Sequence, residues 1–190
     1  MRAAPAFGLL CAAMVLSACT PTAPPTARPV PSVPVPTCTP EAGGNPVPCT
    51  QSEYEHMQQR NALYTEAEEV YRAFIAEDLK VYKEGAEATE QLLNFVAGEA
   101  ADIVRESHQD GTKYDEGTAD IAWIKRYPAA AKKGSSVALQ ACLDSSNATI
   151  SRGGEVVGSG LIGRENAYFA RSNDGNVRIV YFEYEEVSAC

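Results

Sequence analysis

The sequence predicts an α+β domain in which N-terminal helices cover one face of a curved antiparallel sheet. Two changes of pattern lead to that class. From residue 52 to residue 109 apolar side chains recur at helical spacing. Beyond Asp110-Gly111 they alternate instead, in short runs divided by turn residues. A proline-rich stretch with neither pattern precedes both.

The folded part is expected over residues 52–190, opening at Ser52-Glu53-Tyr54-Glu55. That Ser-x-x-Glu spacing is a capping box, which satisfies two free backbone donors at a helix start. Met57, Tyr64, Ala67, Tyr71, Phe74, Ile75 and Tyr82 then form one helical face, ending at Glu84 with Gly85 as the stop. A second helix is read over 87–97, with Leu92, Leu93 and Val96 inward, and a third over 99–109.

Strands follow. Thr118 to Ile124 is a short candidate with Ile121 and Trp123 on one side. Val137, Leu139 and Ala141 alternate with Ala138, Gln140 and Cys142. Arg152-Gly153-Gly154-Glu155 reads as a hairpin turn, and Asn173-Asp174-Gly175-Asn176 as another between strands 164–171 and 176–186. The last strand is apolar on both faces, which predicts a central position in the sheet.

The first eighteen residues have a different character. Arg2 is followed by an apolar run from Phe7 to Leu16, and then by Leu16-Ser17-Ala18-Cys19. A positive start, a short apolar run and small residues before a cut are the parts of an export signal. The run is shorter than the roughly 20 residues that span a bilayer. The four residues ending at Cys19 resemble the bacterial lipobox. That resemblance implies a signal peptide over 1–18, lipid on Cys19, and a domain held on the outer face of the cell membrane. An ordinary secreted protein with a cysteine at this place is the alternative.

Residues 19–51 contain ten prolines among Thr, Ala and Val, a composition that cannot pack a core and reads as an extended tether. Removing residues 1–18 leaves 172 of the 190 residues, enough for one domain plus the tether. It also leaves 15 basic against 25 acidic residues, a formal charge of -10. That balance argues against nucleic-acid binding, which needs a basic surface, and against electrostatic attachment to anionic lipid.

Cys38, Cys49, Cys142 and Cys190 remain once Cys11 and Cys19 are set aside. Four cysteines in an exported chain suggest two disulfides, with three pairings open. Cys38 with Cys49 is the local choice, and Cys142 with Cys190 would then fasten the last residue to an internal strand. The spacings lack a close ligand pair, so no metal is assigned.

The long helix with Tyr71-Arg72-Ala73-Phe74, two shorter helices and a run of strands resembles the NTF2-like, or cystatin-like, cone. The chain is further similar to small actinobacterial lipoproteins that join a lipobox and Pro/Thr tether to a segment like Ala141-Cys142-Leu143-Asp144-Ser145-Ser146 and a terminal cysteine. Such cones serve isomerases, dehydratases, cyclases, small-molecule binders and interaction domains, so the resemblance implies no single activity.

Chemistry-bearing residues are few. No His-Glu-x-x-His, Gly-x-Ser-x-Gly or phosphate-loop arrangement occurs, and neither a cofactor nor a catalytic residue is assigned. His56 and His108 are the only imidazoles and are expected at exposed helix ends. Tyr71, Asp78, Trp123 and Asp144 are the candidates for a pocket. Asp78 falls on the long helix near Ile75 and Tyr82, and Asp144 follows Cys142 at a strand end. In a cone either acid has the chemistry of a proton shuttle when its pKa is raised; the plainer reading is a solvated helix acid and an Asp bonded to the Ser145 or Ser146 backbone. Two functions stand. One is a non-enzymatic envelope protein that binds a partner protein or a small apolar ligand. The other is a pocket enzyme of isomerase, dehydratase or cyclase type.

Overall fold

Two strands of two residues each, β1 (Thr37–Cys38) and β2 (Val47–Pro48), pair antiparallel ahead of the first helix. In the computed structural model, residues 34–128 and 131–190 are described. The export segment, Cys19 and the tether as far as Val33 lie outside the described residues. A disulfide between Cys38 and Cys49 closes the hairpin, with Cα atoms 5.8 Å apart. Val35–Cys190 form one unit. Within it the hairpin lies against the long helix, because Arg60 donates to Glu41 and the Thr39 N–H approaches the Met57 sulfur.

Helix α1 spans Gln51–Glu84. No glycine or proline interrupts its 34 residues, and either would cost helix stability. The expected start at Ser52 is corrected by two residues. Thr50 is the N-cap: its hydroxyl accepts the Glu53 N–H at 3.2 Å, and the Glu53 carboxylate accepts the Thr50 N–H at 2.7 Å. Thr50-x-x-Glu53 is thus a capping box in its own right. It wins because the closed hairpin ends at Cys49, directly before Thr50. The other end is as expected, with Gly85 at φ 62° closing the last turn onto Val81 and Tyr82. A side chain resists that left-handed conformation, whereas glycine does not.

Helix α2 covers Glu90–Leu93 only, shorter than the expected 87–97. The reason lies in the backbone after it. Phe95 accepts from the Ile179 N–H, and the Ala97 N–H donates to Ile179, so this stretch pairs as a one-bridge strand rather than continuing as helix. Helix α3 runs Glu99–Ser107, two residues short of the expected end.

The α+β class holds, but the strands do not form the expected single sheet. β3 (Thr112–Glu116), β4 (Asp120–Arg126), β5 (Val137–Asp144), β6 (Thr149–Arg152), β7 (Glu155–Ser159), β8 (Ile162–Arg171) and β9 (Val177–Glu186) divide into two antiparallel sheets. One has the order β3-β6-β7 and the other β4-β5-β8-β9. Both expected hairpins are present, β6-β7 across Gly153-Gly154 and β8-β9 across Asn173–Asn176. Strand β9 is last in its sheet, not central; the bridge from Val96 is the only partner on its far side among the described residues. Its second apolar face follows from a register shift between Ile179 and Tyr181, which turns Phe182 inward onto Phe74, while Tyr181 lies on the outer face under Lys133.

A register shift in β4 between Ile121 and Trp123 also changes which side chains face inward. Ile121 and Ile124 pack against the core, whereas Trp123 turns to the outer face and pairs with Cys142. A bulge adds a residue and so reverses the alternation beyond it. On the same outer face Cys142 is bonded to Cys190, Cα to Cα 5.7 Å.

The core fills the space between α1 and the four-stranded sheet. Tyr64, Ala67, Tyr71, Phe74 and Ile75 meet Val137, Leu139 and Ala141 of β5 and Ala167 and Phe169 of β8, all buried. Each large apolar side chain removed from water here contributes roughly 1.5–3 kcal/mol. None of the described helices is long and apolar enough to cross a membrane.

Candidate functional site

Two polar pairs interrupt this apolar packing beside α1. Helical spacing puts Tyr71, Ile75, Asp78 and Tyr82 on one stripe, so the face that buries Tyr71 and Ile75 also carries a carboxylate inward. Asp78 Oδ1 lies 2.8 Å from Nε2 of His108, whose side chain is wholly buried after the end of α3. With the proton on Nε2, His108 donates to Asp78; its Nδ1 has no partner. Tyr82 covers the imidazole at 4.2 Å between ring centres and stacks on Tyr114 of β3 at 5.0 Å. Burial raises the Tyr82 hydroxyl, and the Asp78 charge adds to the effect.

The second polar pair crosses from helix to sheet. Glu165 lies on β8 between Gly163 and Ala167, and the Tyr71 hydroxyl donates to its Oε1 at 2.9 Å. Burial lifts the Glu165 carboxyl from 4.5 to about 7, the Tyr71 hydrogen bond opposes the rise, and the Asp78 charge adds to it. Burial, and then the neighbouring Glu165, also raise the Tyr71 hydroxyl well above its ordinary range.

Beside Asp78 a cleft of about 130 Å³ opens between α1 and the ends of both sheets. Among the described residues Asp78 is the only charged one that lines it. Tyr82, Tyr114 and Tyr184 supply aromatic walls, and Ile75, Leu143 and Leu161 an apolar floor. The Tyr184 ring lies across Gly163: a Cβ added there would meet the ring at 2.1 Å. Glycine at 163 is therefore what lets the ring form this wall.

Of the four pocket candidates, Tyr71 and Asp78 are brought together, and the other two lie elsewhere. Trp123 donates through Nε1 to the Cys190 carbonyl at 3.0 Å on the outer face, beside the Cys142–Cys190 disulfide. Asp144 accepts the Ser146 N–H at 3.0 Å and its hydroxyl at 2.6 Å, and these bonds hold its carboxyl below the usual range. That is the turn-forming Asp of the plainer reading. His56 is exposed and lines a separate groove of about 540 Å³ between the β1-β2 hairpin and the first turns of α1. His108 is not at an exposed end, and its partner is Asp78 rather than the nearby Asp110.

Glu165 was not anticipated. Its one signal is phase: in the alternation of β8 it falls on the same side as Ala167 and Phe169, where a charge is out of place. Among the described residues no group of three or more His, Cys, Asp or Glu is arranged to hold a metal ion. Comparison with protein-family models, with curated proteins and with solved structures returns no match.

Proposed function

We propose that the chain is a lipid-anchored domain of the cell envelope, held outside the membrane through Cys19, that binds a small ligand in the cleft beside Asp78 without transforming it. The arrangement of a long N-terminal helix over antiparallel strands is read as a variant of the NTF2-like cone, with the cleft at its open end. The observation that carries the ligand reading is the cleft itself. Its carboxylate has one oxygen fixed by His108, while the other, Oδ2, accepts no hydrogen bond from any described residue. A polar group held in place by the fold yet left open among apolar walls is the usual composition of a recognition site. At about 130 Å³ the space is smaller than the roughly 300–1,000 Å³ of most substrate pockets, which favours one small head group over a large substrate.

A proton-transfer enzyme is the second reading, favoured by the Asp78–His108 pair and by a carboxyl in Glu165 that titrates near neutrality. The test uses the mature chain with Cys19→Ser to keep it in solution, titrated with a set of small fragments and followed by heteronuclear NMR. Shifts centred on Tyr82, Tyr114, Gly163 and Tyr184 are expected. Shifts confined to the outer sheet face would overturn the cleft assignment. Loss of cellular function in a folded His108→Gln chain that still binds would move the reading to catalysis.

A further inference from the structure

The charge that the described lining of the cleft offers a ligand is negative, set among tyrosine rings and their hydroxyls. Asp78 presents the unpartnered Oδ2. Ser145 is already committed, because its hydroxyl donates to the Leu161 carbonyl at 2.7 Å and accepts the Leu161 N–H at 3.0 Å. No Lys or Arg among the described residues lines the space. The Tyr82 ring already packs against His108 and Tyr114, which makes Tyr114 and Tyr184 the rings better placed to meet a guest.

We propose that this cleft receives the ammonium head of a small organic cation, with Asp78 as counter-charge and Tyr114 and Tyr184 as aromatic walls. The assignment rests on the reading of the cleft as a ligand site. Five physical points favour this class. A carboxylate in an apolar recess attracts a cation more strongly than one in open water. Tyrosine faces attract a positive charge placed over them, and enclosed quaternary ammonium groups are the common case. A hard metal ion demands several oxygen ligands, whereas this site gives one carboxylate among leucines and tyrosines. The volume is close to the roughly 150 Å³ that encloses one six-membered ring, so an ammonium with three or four small substituents fits and a long polyamine does not. The formal charge of -10 that remains without residues 1–18 favours approach of a cation and disfavours an anion.

Choline and its uncharged carbon isostere, 3,3-dimethylbutan-1-ol, separate charge from shape. Each is titrated into the mature Cys19→Ser chain at fixed salt, with NMR shifts and calorimetry as readouts. Choline is expected to shift Tyr114, Gly163 and Tyr184 and to bind about tenfold or more tightly than the isostere. Asp78→Asn keeps an acceptor for His108 and should reduce choline binding to the level of the isostere. Tyr184→Leu leaves the Asp78–His108 pair intact and should weaken choline more than the isostere, which guards against misfolding of the first variant. Equal binding of both probes, unaffected by Asp78→Asn, would leave a ligand cleft but overturn the cation assignment. Absence of any shift at these residues from either probe or from the fragments overturns both.

Discussion

Replacing Glu165 by Gln should stabilise the protein at alkaline pH and leave it nearly unchanged in acid. Gln keeps an oxygen to accept the Tyr71 hydroxyl, so the variant removes charge and little else. In the folded state the carboxyl titrates at about 7 instead of 4.5, because the sheet and α1 shield it from water and Asp78 is close. The sign follows from proton counting. Between pH 4.5 and pH 7 the folded chain retains a proton that the unfolded chain has released, so stability falls as pH rises through that window. Above pH 7 the whole penalty is present; below 4.5 it vanishes. At 1.36 kcal/mol for each pH unit the interval corresponds to about 3 kcal/mol, and the partial opening of Glu165 to water brings the expectation to about 2 kcal/mol. Urea unfolding of wild type and Glu165→Gln at pH 4.5, 6, 7 and 8 measures it. The gap between the two should grow with pH and level off near pH 8. A gap that does not vary with pH, or a variant that is less stable at pH 8, would refute the argument that folding shields this carboxyl.

Cys142→Ser and Cys190→Ser should each lower stability by about 4 kcal/mol, from the loop-closure entropy of a bridge spanning 48 residues of sequence. The double variant should be scarcely worse than either single one in denaturant unfolding, since both remove one shared bond. Thr50→Ala removes the side chain that caps α1 and should cost about 1 kcal/mol, read from the urea midpoint, while Ser52→Ala should cost little. Mass analysis of the mature N-terminus is expected to find lipid on Cys19, and Cys19→Ala to release the domain from membranes with its melting temperature unchanged.

How much of this was legible in the sequence depended on how local each signal was. The face of α1 through Tyr64, Tyr71 and Ile75, its stop at Gly85 and both hairpin turns rest on neighbours within a few residues, and all are present. The missed features are those that distant chain decides. Strand β3, Thr-Lys-Tyr-Asp-Glu, is too polar to show a pattern and exists because β6 pairs with it. α2 is cut short by Ile179, more than eighty residues downstream. The bulge that turns Trp123 outward leaves no trace in composition. At the site, Asp78 was visible from its place on the helix stripe, whereas its contact with His108 depended on how α3 packs. Glu165 carried only the faint signal of a charge in an inward phase.

The bridge between Val96 and Ile179 has a bearing on how the protein behaves among copies of itself. The last strand of a sheet exposes a row of unpaired amides and carbonyls, which can template addition of another chain and begin an aggregate. Here Phe95 and Ala97 take up both backbone groups of Ile179, so the row in the first half of β9 is interrupted. The second half carries Glu183, Glu185 and Glu186. A second copy aligning along it would bring these acidic residues toward one another, so the edge is disfavoured as a template at one end by the bonds to Ile179 and at the other by like charge.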